Sequence, residues 1–175
     1  LKVFASKLIQ CQGIYSRTLS KAKKLKNKYN IKKLYSSLND KKSDNEIKAI
    51  IILVNEDSTQ NLINSLDINK YRILCEKPIG MNLNETKKII SKISIKNFYV
   101  ALNRRFYDSN IKAKKLIKKI NGKPLISIRD QETQNSKSNI RNKNWMFLNS
   151  VHLIDYINIY ARGRIVKIKR IKKFK

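Results

Sequence analysis

Short apolar runs separated by amphipathic, lysine-rich stretches recur along the chain from Gly13 to Leu102. Ala49 to Val54 is an unbroken aliphatic run, Ala-Ile-Ile-Ile-Leu-Val, the composition of a strand buried on both faces of a parallel sheet. Gly13–Ser16, Tyr71–Cys75 and Phe98–Leu102 read as further strands, and Leu34–Leu38 as a brief apolar element followed by a polar loop, Asn39–Asn45. Between them lie helical stretches. Leu19–Tyr29 carries Leu19, Ala22 and Leu25 on one side, Asp57–Leu66 has Asp57 or Ser58 as a candidate cap, and Asn84–Ser94 opens beside Asn82. Residues before Gly13, up to Cys11, read as the tail of a helix. Strands alternating with helices predict an α/β fold, a Rossmann-like, doubly wound parallel sheet.

The pattern changes after Leu102. Ser109–Ile120 predicts a long helix stopped by Asn121-Gly122, and Leu125–Arg129 predicts a strand entered from Pro124. Asp130–Asn144 has no apolar period and reads as an exposed loop. An amphipathic helix, Asn149–Tyr160, follows Trp145–Leu148 and ends at Gly163, and Arg164–Ile171 alternates like a strand. Two regions result: 1–106, part of a nucleotide-binding unit, and 107–175, the beginning of a second α/β unit.

Composition changes this picture little. Hydrophobic residues make up 41 % of the 175 residues, as in ordinary globular domains. The formal net charge is +28, which predicts attraction to polyanions. The lysines are spread through nearly every helix beside many Ile and Asn residues, so the charge reads as compositional background rather than a nucleic-acid interface. A polyanion-binding protein is the competing reading. No apolar run approaches the roughly 20 residues needed to span a membrane. Cys11 and Cys75 form no framework, and reduced thiols in a cytoplasmic protein are the expectation. With one histidine, His152, no metal site is expected. No Gly-x-Ser-x-Gly elbow and no phosphate-loop Gly-Lys-Ser/Thr occurs.

The most informative residues are Leu74-Cys75-Glu76-Lys77-Pro78, where an apolar strand ends abruptly in a carboxylate, an amine and a proline. Strand ends of a parallel sheet open onto the ligand crevice. Three further landmarks follow in order: Asn103-Arg104-Arg105-Phe106 after the next strand, the Lys-rich helix leading to Gly122, and His152-Leu153-Ile154-Asp155. Together they resemble the Gfo/Idh/MocA family of oxidoreductases. The resemblance implies a pyridine-nucleotide enzyme acting on a hydroxyl or carbonyl of a sugar, sugar derivative or cyclitol, homo-oligomeric in its full-length form. Lys77 matches the family's proton-transfer lysine and His152 the histidine that assists it. Glu76, Lys77 and Pro78 are expected near the nicotinamide, and Asn55 and Glu56, after the aliphatic strand, at the cofactor edge. Arg104, Arg105, Asn149 and His152 are candidates for the substrate side. A packing role competes for His152, and a junction role for the two arginines. Asp155 shares a helix face with His152 and reads as a packing residue.

Cofactor preference is read at Ser16-Arg17-Thr18, after the first visible strand. NAD sites usually place an acidic residue there, whereas two hydroxyls and a guanidinium suit a 2′-phosphate. NADP is expected, with NAD the alternative. Two departures from the family pattern stand out. Its Gly-x-Gly-x-x-Gly motif would precede a helix that ends near Cys11 and is absent, so the chain reads as a fragment that binds a dinucleotide weakly or not at all. The aspartate usual four residues before the histidine is Leu148 here, followed by Asn149. An amide can hydrogen-bond a hydroxyl but cannot take its proton, so a catalytically degenerate family member that binds sugar without chemistry is a further alternative.

Overall fold

The computed structural model describes residues 9–42, 44–122, 125–129, 144, 146–161 and 165–169. Strands and helices alternate over its first part: β1 (Gly13–Tyr15), α1 (Leu19–Tyr29), β2 (Lys33–Tyr35), α2 (Leu38–Lys42), β3 (Ala49–Ile52), α3 (Glu56–Ser65), β4 (Arg72–Cys75), α4 (Leu83–Ile90) and β5 (Phe98–Val100). A 3-10 turn (Asn103–Phe106) leads into α5 (Asp108–Lys119), and a π-helical turn (Met146–Ser150) into α6 (Val151–Tyr160). Every strand pairing is parallel, as the alternation predicted. The sheet is in two parts, β1-β2 and β3-β4-β5, with β4 central in the larger.

The core lies under one face of the three-stranded part. Ile52, Ile73, Cys75 and Phe98 meet Ile63 of α3 and Ile89 of α4 there. Burying one such isoleucine contributes about 1.5–3 kcal/mol. The expectation of burial on both faces fails on the other side. Ile51, Leu74 and Tyr99 form a cross-strand row and are 37 %, 40 % and 55 % exposed. The strand also ends at Ile52, leaving Leu53 and Val54 exposed beyond it. The reason is architectural, since α3 and α4 both cover the same face.

Local chemistry sets the helix starts. Asn82 caps α4: its side chain accepts from Glu85 N at 3.0 Å, while the Glu85 carboxylate accepts from Met81 N at 2.8 Å. This exchange is a variant of the capping box, with the carboxylate reaching the backbone N–H of the residue before the cap. A second one overturns the predicted loop at Asn39–Asn45. Ser37 Oγ accepts from Asp40 N at 3.1 Å, and the Asp40 carboxylate accepts from Ser36 N and Ser37 N, so Leu38–Lys42 winds into α2. Helix α3 starts one residue earlier than expected, with Asn55 at its cap and no side-chain cap bond. Helix α1 ends at Asn30, whose φ of 49° is the left-handed conformation asparagine tolerates at such ends.

Three expectations are corrected. Residues 9–12 are not helical, and neither 125–129 nor 165–169 forms a strand. Leu125, Val166 and Ile168 are almost fully exposed. Alternation favours a strand only where a ladder partner exists, and the described residues provide none. The predicted loop residues 130–143, with Trp145, Gly163 and Arg164, lie outside the described residues.

Candidate active site

The sheet delivers Glu76 and Lys77 to one place. Glu76 N donates to Ile52 O at 2.9 Å and Ala101 N donates to Cys75 O at 2.8 Å, so both neighbouring strands hold the end of β4. The Lys77–Pro78 peptide is cis, and Pro78, Ile79, Gly80 and Met81 are buried in the return to α4. A Cβ on Gly80 would lie 2.7 Å from Thr86 N, so only glycine lets this return pack so closely on α4. Burial also pushes the Cys75 thiol up to about 12, with Glu76 adding to the shift, which leaves it inert beside the site.

From this support Lys77 Nζ reaches the opposite wall and donates to Leu148 O in the π-helical turn. Leu148, His152 and Asp155 are all buried, at the spacing of one helix face. The His152 Nδ1 atom is buried and has no hydrogen-bond partner among the described residues. The imidazole pKa lies below its ordinary 6.5, first through burial, then through the charges of Arg104 and Lys77, with Asp155 opposing them. His152 is therefore held neutral at physiological pH.

The 3-10 turn completes the wall. Arg105 Nε donates to Asp155 Oδ2 at 2.5 Å and its Nη2 donates to Asp155 Oδ1, a two-pronged pair that raises the guanidinium pKa. Arg104 is anchored differently. Its carbonyl accepts from Asn110 Nδ2 at 2.6 Å, and Asn110 is in turn bonded to the hydroxyls of Tyr156 and Tyr160 on α6. Burial, then the neighbouring Tyr156, raises the pKa of Tyr160.

The candidate residues thus fall into groups. Lys77 reaches the turn that precedes His152, and the charges of Arg104 and Lys77 both act on its imidazole. Arg105 is engaged by Asp155, and Asn149 is exposed on the π-helical turn. Ser16, Arg17 and Thr18 follow the C-terminal end of β1. Ser16 Oγ accepts from Thr18 N at 3.2 Å, and the Arg17 side chain extends from an exposed position. Asn55 and Glu56 form the start of α3 after β3. These segments and Glu76-Lys77-Pro78 all follow C-terminal strand ends, the edge where ligands bind in parallel α/β sheets. The Asn110–Tyr156–Tyr160 bonds escaped the sequence reading. The i, i+4 spacing of the two tyrosines was the available signal, but nothing in sequence pairs them with a residue 46 positions away.

The parallel strands, crossover helices and strand-end site define a Rossmann-type nucleotide-binding domain. Residues 2–103 match the model of the Gfo/Idh/MocA oxidoreductase family, NAD-binding Rossmann fold, and the chain belongs to that family. Among solved structures, myo-inositol dehydrogenase from Lactobacillus casei in complex with NAD(H) and myo-inositol is similar, with a TM-score of 0.69 and 20 % identity over 86 % of this chain and 46 % of that one. A levoglucosan dehydrogenase in complex with NADH and levoglucosan gives a TM-score of 0.56 and 21 % identity over 62 % of this chain and 30 % of the other. The apo scyllo-inositol dehydrogenase from Lactobacillus casei gives 0.54 and 22 %, over 66 % and 36 %. The chain spans less than half the length of each, and the likeness is one of fold. No curated protein sequence matches. Among the described residues no helix is long and apolar enough to cross a membrane.

Proposed function

We propose that the protein carrying this chain is an NADP-dependent oxidoreductase acting on a hydroxyl or carbonyl of a sugar, sugar derivative or cyclitol. In this reading residues 1–106 belong to the cofactor side and 107–175 to the substrate side. The observation that supports it most directly is the meeting of Lys77 with the π-helical turn that leads into the helix of His152, at the end of the central strand β4.

The donor set suits the phosphorylated cofactor. Arg17 is exposed between two hydroxyl residues, and no carboxylate occurs between Gly13 and Leu19. Ser16, Arg17 and Thr18 would take the 2′-phosphate, Asn55 and Glu56 the adjoining edge, and Glu76, Lys77 and Pro78 the nicotinamide end, with NAD the weaker ligand. A bound nicotinamide supplies the acceptor or donor of hydride.

The chain's own residues handle the proton. An ammonium has three donors. Lys77 gives one to Leu148 O, which leaves others for the substrate oxygen. In oxidation, hydride leaves the carbinol carbon and negative charge grows on its oxygen, where a fixed cation stabilises it. His152, its imidazole kept neutral by burial, is the group that accepts the hydroxyl proton. Reduction returns the proton by the same route.

The test is Lys77→Ala in the protein that carries this chain. Turnover falls by roughly a hundredfold or more, while NADPH affinity, measured by fluorescence titration, stays within about threefold, because most of a dinucleotide's contacts lie away from the reacting atoms. Turnover that survives the substitution removes Lys77 from the chemistry.

A further inference from the structure

We propose that the backbone carbonyl of Leu148 is the positioning group for Lys77, and that the π-helical turn Met146–Ser150 serves to present it. The inference rests on the oxidoreductase reading above and assigns a positioning role within the same site.

The carrying observation is a contact across 71 residues of sequence, in which Lys77 Nζ donates to Leu148 O. A lysine ammonium sits on a flexible four-carbon stem, and an unheld one samples many rotamers. One fixed acceptor removes most of that freedom. Where the family pattern carries an aspartate, this chain has Leu148, whose side chain has no acceptor, so the main chain does the holding. A carbonyl is a dipole and not a counter-charge. It aims the ammonium and leaves its charge for the oxygen of the substrate.

Both ends of the contact are anchored independently. Lys77 is half-buried and follows a strand end bonded to both of its neighbours. Leu148 is 7 % exposed, and Phe147 N and Leu148 N both donate to Asn144 O, at 3.0 and 3.1 Å. The turn runs directly into α6. That helix is tied to the turn after β5 by the Arg105–Asp155 pair and to α5 by the bonds of Asn110 with Tyr156 and Tyr160. The π form is what interrupts the regular ladder at Leu148. Its hydrogen bonds close over one residue more than those of an α-helix, and such turns are short and occur mostly as single insertions. A carbonyl also has two lone pairs, so one within a helical turn can still accept from outside it.

The test reads Lys77 directly. In the chain labelled with 15N at its lysine side chains, in mildly acidic solution, the Lys77 ammonium signal is identified by its loss in Lys77→Arg. Its protons are expected to exchange with water at least about tenfold more slowly than those of Lys21, Lys23 and Lys24 on the exposed side of α1. Deleting Met146, which is half-exposed, removes the extra residue and lets the turn close as α-helix. Exchange at Lys77 is then expected to match that of the α1 lysines, whereas Met146→Ala, which keeps the residue count, leaves it slow. In the protein that carries this chain, with NADP and with myo-inositol and glucose as probes, the deletion is expected to lower kcat by about tenfold or more. KM and NADPH affinity stay within about threefold, because the aimed charge acts in the transition state.

Fast exchange at Lys77 in the unsubstituted chain overturns the proposal. So does slow exchange that survives the deletion, or a deletion that frees Lys77 and leaves kcat unchanged. If the deletion does not fold, an ester in place of the amide between Leu148 and residue 149 decides. It weakens this carbonyl as an acceptor and keeps the residue count; faster exchange supports the assignment and unchanged exchange overturns it. No nucleotide or sugar enters the exchange measurement. NADP-linked turnover with a freely exchanging Lys77 ends this inference and leaves the oxidoreductase reading standing; a held Lys77 without turnover does the reverse.

Discussion

Arg105 grips Asp155 through both carboxylate oxygens, joining the turn after β5 to helix α6 across 50 residues of sequence. The two partners are unequally buried: the Asp155 side chain is 5 % exposed, the Arg105 side chain 45 %. That inequality predicts unequal costs. Arg105→Ala strands a buried carboxylate and is expected to cost on the order of 3 kcal/mol. Asp155→Ala leaves a guanidinium that water reaches, for a smaller loss of about 1–2 kcal/mol. Urea denaturation of both variants checks the order, and a costlier Asp155→Ala would contradict it.

His152 carries a signed dependence on pH. Its pKa in the folded chain is depressed from 6.5, chiefly by burial. The unfolded chain then takes up a proton first as pH falls. Stability from the neutral imidazole is complete above the ordinary pKa and declines as pH drops below it, towards the folded value. Asp44 acts in a lower window: its carboxyl, bonded by Lys33 at 2.8 Å and by Tyr35 at 2.6 Å, sits at about 2 instead of 3.8, so its contribution disappears only near the acid extreme. An NMR titration should place the His152 midpoint below 6.5. Arg104→Gln should move it upward, because one of the two depressing charges is gone.

Arg17 sets the third prediction. Its guanidinium is exposed between Ser16 and Thr18. Arg17→Asp in the protein that carries this chain is expected to lower NADPH affinity by about tenfold or more, the value of a charge-assisted phosphate contact, and to spare or improve NADH binding. Competitive binding of the two nucleotides measures the switch. An unchanged ratio would show that Arg17 is one solvated cation among many.

The uneven faces of β4 give the fourth. Ile73 is 1 % exposed and Leu74, its neighbour on the same strand, is 40 % exposed. Ile73→Ala is expected to cost about 2–4 kcal/mol through lost burial and the cavity left behind. Leu74→Thr is expected to cost under about 1 kcal/mol, because that face is partly in water already and threonine suits a strand. Thermal unfolding of the two variants separates them, and similar costs would mean that the exposed face is covered in solution.

Much of the arrangement was legible in the residues themselves. Strand positions between Gly13 and Val100 follow from apolar runs bounded by polar stretches, because a backbone buried in a sheet needs side chains that tolerate burial. The end of β4 was visible where Cys75 gives way to Glu76-Lys77-Pro78, since no interior strand carries that triplet. Helix α2 was also written locally, in Ser37-Leu38-Asn39-Asp40, and was missed because a capping box can be hidden in a stretch that otherwise looks like loop.

Tertiary structure alone decided the rest. Whether Leu125–Arg129 or residues 165–169 form strands depends on a partner, and alternation carries no information about one. Whether Ile51 and Leu74 are covered depends on which face the helices choose. The division between Arg104 and Arg105 is the sharpest instance. Side by side in sequence they are chemically identical, and only the fold, by setting the buried Asp155 against Arg105, makes that residue a brace between the turn after β5 and α6. Charge is a property of the residue, but what answers it is a property of distance, and distance across 50 residues is not written in the order of the chain.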